Sequence, residues 1–127
     1  MAIPKTICLI IGVVSTLFSI ALAIPGTASF YYNLSHATTT CYGNTTQGTL
    51  LAASDRLGLD FNCGTLLKVT CTGPVPQPCT GKSVVVKMVS DCPGCGVTMD
   101  LSKEAFSIIA TPVTVENIIK IDYVKVG

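Results

Sequence analysis

Asp91 and Asp100 stand nine positions apart, and Cys92-Pro93-Gly94-Cys95 lies between them, in the stretch Ser90 to Phe106. Two carboxylates facing across a groove can act as acid and base on a glycosidic bond. The same residues have a plainer use. Asp91 can close a turn after a strand, and Asp100 can cap or orient a helix start; on these residues alone the plainer use is preferred. The cysteine pair admits three readings. A redox dithiol needs a thiolate of lowered pKa. A zinc half-site needs a second pair of ligands, but no second Cys-x-x-Cys follows and His36 is the sole histidine. A structural disulfide across a short loop needs neither, and is preferred. There is no Gly-x-Ser-x-Gly nucleophile elbow and no phosphate-cradling glycine loop. No metal and no cofactor is therefore expected.

These residues need elements to hold them. Ser83 to Val89 is a β-branched run feeding into Asp91, and its continuous valines suggest a strand covered on both faces. Leu101 to Ala110 reads as a helix. Ser102 is suited to cap it, Glu104 complements the dipole of its first turn, and Pro112 stops it. Elsewhere Thr27 to Tyr32, Gly48 to Ala53, Leu66 to Cys71 and Ile118 to Val126 read as strands. Asn33 to Asn44 and the proline-rich Thr72 to Gly81 read as loops. About six strands and one short helix indicate a small, mostly β barrel. No internal repeat is evident.

The first 23 residues read as a signal peptide that is removed. Lys5 is their only charge, Ile7 to Leu22 is almost wholly apolar, and Ala21-Leu22-Ala23 suits signal peptidase. That apolar run is shorter than the roughly 20 residues of a membrane span, so no stable membrane insertion is expected after cleavage. The mature chain, Ile24 to Gly127, is then one secreted domain of 104 residues. Without Lys5, seven basic residues balance seven acidic ones, and this neutrality argues against nucleic acid as a partner. Six cysteines remain in it: Cys41, Cys63, Cys71, Cys79, Cys92 and Cys95. In a small secreted chain they read as three disulfides, with connectivity open. Asn33 and Asn44 begin glycosylation sequons on the loop after the first strand. The mature chain has no Trp, and Tyr31, Tyr32 and Tyr42 are the aromatics that can line a sugar groove.

The order of short motifs resembles the first domain of expansins. Gly26-Thr27-Ala28-Ser29-Phe30-Tyr31 is similar to its opening strand. Cys41-Tyr42-Gly43, Cys63-Gly64, Lys68-Val69-Thr70-Cys71-Thr72-Gly73-Pro74, Asp91-Cys92-Pro93, Asp100-Leu101-Ser102 and Ile119-Lys120-Ile121-Asp122-Tyr123 continue the likeness across the mature chain. Nearest are the single-domain plant proteins that are expansin-like and endoglucanase-45-like, the group that includes plant natriuretic peptides; barwin is more distant.

This resemblance implies a six-stranded double-psi β-barrel with one short helix and three disulfides, Cys41–Cys63, Cys71–Cys79 and Cys92–Cys95. It implies a polar sugar groove at Ser29, Asp91 and Asp100, with Tyr31 beside it. Asp100 matches the catalytic acid of family-45 endoglucanases. Their catalytic base sits near the amino end, where this chain has no carboxylate between Ile24 and Ser54, so no hydrolase activity is expected. The aromatic second domain of expansins does not follow the first before Gly127, so full wall loosening is not expected either. The segment Leu57 to Asn62 departs from relatives that carry a Trp there. What the resemblance implies is a secreted, monomeric extracellular protein of the apoplast or cell wall. It would act in water and solute homeostasis or stress response through a cell-surface receptor. The alternative is a binder of cell-wall polysaccharide with weak wall-loosening activity.

Overall fold

The structure, a computed structural model, describes residues 22–75, 77–113 and 118–127. Most of the leader expected from the sequence lies outside them. Six strands form one closed barrel: β1 (Ile24–Tyr31), β2 (Leu51–Ser54), β3 (Leu66–Gly73), β4 (Ser83–Asp91), β5 (Met99–Ser102) and β6 (Ile119–Val126). Among the described residues, one helix, α1 (Lys103–Ile109), and a single 3-10 turn at Leu34–His36 complete the regular structure. Among the described residues no helix is long and apolar enough to cross a membrane.

Around the barrel the strands run β1-β5-β2-β4-β3-β6. β1 pairs with β5, and β2 with β4, in parallel; the other neighbours are antiparallel. Advancing every strand number by three maps each pairing onto another. β1–β5 becomes β4–β2, and β3–β4 becomes β6–β1. This internal twofold arrangement of interleaved halves is that of the double-psi barrel. It has no evident counterpart in a repeat of the sequence.

Strand alternation explains most of the core. In β3, Leu67, Val69 and Cys71 point inward while Leu66, Lys68 and Thr72 do not. β6 directs Ile119, Ile121 and Tyr123 to the same interior. α1 lays Ala105, Phe106 and Ile109 on the barrel, each fully buried, and the Phe106 ring lies 5.3 Å from that of Phe30. Phe61, from the loop after β2, meets Tyr123 edge-on at 5.6 Å.

Three expectations are corrected. The valines of β4 do not lie between two covered layers: Val84 and Val86 are buried, but Val85 is 45 % exposed. The barrel has an outer face open to water, so period two wins over the apolar run. The helix does not begin at Leu101. Met99-Asp100-Leu101-Ser102 is a strand, and Ser102 caps a helix starting at Lys103. The third correction concerns the cross-links. Cys41–Cys63 and Cys71–Cys79 are bonded, but Cys92 and Cys95 are free thiols. Their sulfurs have other partners: Cys92 Sγ donates to Asp100 Oδ2 at 3.2 Å, and Cys95 Sγ faces the Val97 carbonyl at 3.9 Å.

The Cys71–Cys79 bridge anchors the proline-rich loop to the core, with a sequence separation of 8. Replacing both cysteines by serine is expected to cost about 2.5 kcal/mol, from the loop-closure entropy restored to the unfolded chain. Chemical denaturation of the oxidised protein and of the double variant measures it.

Candidate functional site: the cleft over β5

The site begins with register. Ser29 of β1 and Ala53 of β2 both lie beside Asp100 of β5. Ser29 Oγ donates to Asp100 Oδ1, while the Cys92 thiol donates to Oδ2. Both carboxylate oxygens therefore accept, one from each side. Ser54 pairs with Asp91 of β4 across the next strand boundary. Asp91 and Asp100 thus flank β2, with their backbones about 10 Å apart, two interstrand spacings.

A bulge brings Asp91 into place. The β2–β4 register shifts between Ala52 and Ala53, so that Met88 pairs with Ala52 and Ser90 with Ala53. Val89 is the extra residue. It turns outward, into a small second core with Leu34, Leu51 and Ala53 beneath the loop after β1. That loop is stitched to the end of β4. The Cys41 amide donates to Val89 O, the Thr40 amide to Ser90 Oγ, and the Asp91 amide to Thr40 Oγ1. The Cys41–Cys63 bridge then ties it to the segment before β3.

The loop and strand ends enclose a cleft of about 270 Å³, lined by Tyr31, Ala53, Asp91, Cys92, Pro93 and Asp100 among others. Tyr31 stands at its edge, 50 % exposed. Of the residues anticipated for a groove, Tyr31, Asp91 and Asp100 line one cleft, and Ser29 supports it through Asp100. The other two tyrosines do not join them. Tyr32 lies by a shallow depression on the far side of the 3-10 turn, under Lys103, and Tyr42 is covered by Lys87. Asn33 and Asn44 are both exposed, and Asn44 Oδ1 accepts from Thr38 Oγ1 at 2.6 Å.

Each aspartate keeps part of its plainer role. Asp91 Oδ1 accepts the Cys92 amide at 2.7 Å, closing the turn out of β4. Asp100 does not cap α1; Ser102 does, accepting from the Ala105 amide. The cysteines do not suit redox exchange. Burial pushes the Cys92 thiol up, and its hydrogen bonds with Cys95 and Asp100 push the same way. An activated redox cysteine requires the opposite shift. Alkylation of Cys92 by iodoacetamide at pH 8 is accordingly expected to be at least about tenfold slower than that of an unperturbed thiol; peptide mapping over time checks it.

Sequence reasoning missed β5 and, with it, the meeting of Asp100 and Cys92. The available signal was the apolar–polar alternation of Met99 to Ser102, immediately ahead of a capping serine.

Comparison with known proteins bears on the whole domain. No family model matches the chain. It is similar to a protein of Arabidopsis thaliana named as EG45-like domain containing protein 1, with 46 % identity over 125 residues, covering 94 % of this chain and 97 % of that one. It is also similar to an EG45-like domain containing protein of Citrus jambhiri, with 42 % identity over 101 residues, covering 74 % and 76 %.

Proposed function

Because the chain belongs to the EG45-like domain family, we propose that it is a secreted, monomeric, non-hydrolytic extracellular protein of the natriuretic-peptide-like kind. In this reading it acts in water and solute homeostasis or stress response, and the cleft over β5 is where it meets its ligand or receptor. The observation that carries the non-hydrolytic part is the state of Asp100. Ser29 and Cys92 both donate to its carboxylate. A carboxylate that accepts on both oxygens is held as a hydrogen-bonding group of the cleft. No carboxylate from β1 or β2 stands across from it, since the chain has none between Ile24 and Ser54. The experiment is paired. Purified protein should swell isolated plant protoplasts and release no reducing ends from β-glucans. Reducing-end release that disappears in Asp100→Asn would overturn the reading.

Exposed Tyr31 beside Asp91 and Asp100 favours a second reading. An apolar ring face next to hydrogen-bonding carboxylates is how sugars are commonly held. The cleft would then take a short run of cell-wall polysaccharide. Co-sedimentation with isolated cell walls tests this: binding should fall in Asp91→Ala and Asp100→Ala. Unchanged binding by both variants counts against the cleft.

A further inference from the structure

We propose that Cys92, Cys95 and Asp100 form a binding site for a divalent metal ion of borderline softness, zinc in the first instance. The three side chains are half-buried, and their donor atoms all lie within 4.8 Å of one another. A tetrahedral zinc with two thiolates at about 2.3 Å sets its sulfurs about 3.8 Å apart, so the cluster needs only a slight contraction. Its loop is shaped for this. Cys92-Pro93-Gly94-Cys95-Gly96 turns back on itself with the Cys95 amide donating to the Cys92 carbonyl at 3.3 Å. Gly94 (φ 69°) and Gly96 (φ 73°) occupy the left-handed conformation that side-chain-bearing residues avoid. Spacing of two residues between cysteines is that of one half of a structural zinc site.

In place of a second such pair, this fold supplies a carboxylate from β5. Its orientation is already fixed, since Ser29 holds Oδ1 and leaves Oδ2 turned toward Cys92. A partner of that kind sets ligand geometry in metal sites. Two sulfurs and one carboxylate select zinc over calcium or magnesium, which prefer all-oxygen shells. With three protein ligands, the fourth position opens to the cleft that Cys92 and Asp100 line. The balance is simple. Both thiols lose a proton, so one metal ion displaces two protons, and the carboxylate contributes its existing charge. The site does not depend on what else the cleft binds, so its failure would leave the physiological reading standing.

Titration of the purified two-disulfide protein with Co²⁺ alone, then Zn²⁺, tests the site. One equivalent of Co²⁺ should give a thiolate-to-cobalt charge-transfer band with tetrahedral ligand-field bands. Zn²⁺ should bleach it, and two protons should appear per metal in weakly buffered solution. Cys92→Ser/Cys95→Ser should abolish the band. Ser29→Ala should weaken affinity about 10- to 100-fold while keeping all three ligands. No band at stoichiometric Co²⁺, a band that survives in the double variant, or a Cys92–Cys95 disulfide in the isolated protein would each overturn the site.

Discussion

Phe106→Ala is expected to destabilise the protein by about 4 kcal/mol, the usual cost of emptying a buried aromatic site. Phe106 is fully buried on the inner face of α1 and packs against Phe30 of β1. Its ring therefore holds the helix against the barrel. Two features limit relaxation around the cavity. α1 is only seven residues long, too short to be stable without packing. Its first turn is also pinned from outside by Ser35, whose hydroxyl donates to Glu104 Oε2 at 2.9 Å. The helix is thus unable to slide inward to fill the gap without breaking that bond. For a domain near 100 residues this corresponds to a fall in Tm of about 20 °C. Ser107→Ala, on the exposed side of the same helix, should stay within about 0.5 kcal/mol. Thermal unfolding followed by circular dichroism separates the two.

Ser102→Ala is expected to cost about 3 kcal/mol, more than a helix cap alone supplies. Its hydroxyl is completely buried and makes three contacts. It accepts from the Ala105 amide at 3.3 Å as the N-cap of α1, accepts from the Leu51 amide at 3.1 Å at the start of β2, and donates to Thr49 O at 2.5 Å. Alanine removes the cap, worth about 1 kcal/mol. It also leaves a buried Leu51 N–H without a partner, worth about 1–3 kcal/mol more. Ser102→Thr keeps the hydroxyl and should recover part of the loss, whereas a role in packing alone would not distinguish the two. Urea denaturation with matched m-values measures both variants.

Ser102 also shows what the sequence could and could not reveal. Its place before an apolar-faced helix was legible, because capping is a local affair of one side chain and the next three amides. Its bonds to Thr49 and Leu51 were not, because they span about fifty residues and exist only once β2 lies beside β5. The same division runs through the cleft. The class of fold, all five strands assigned and the two disulfides that form follow from alternation and from a family resemblance that reaches the whole domain. The meeting of Ser29, Asp100 and Cys92 depends on a parallel pairing of β1 with β5, and no local pattern encodes which strands become neighbours. The valines of β4 misled for a related reason. Val85 faces water in a barrel wall, where a β-branched residue is retained for strand geometry and not for burial. The free thiols were misjudged because an even cysteine count says nothing of a carboxylate close by in space but eight residues away from Cys92 in sequence.

In the proposed function, the cleft built on Asp100 is a binding site that acts without hydrolysis. Its most direct test is the dose–response of protoplast swelling for the wild-type protein and for folded Asp100→Asn. The exchange keeps the shape of the side chain and removes its charge. Swelling is expected with the wild type, and a loss of about tenfold or more in potency with the variant, equivalent to about 1.4 kcal/mol of binding or more. Equal potency of the two proteins would contradict it.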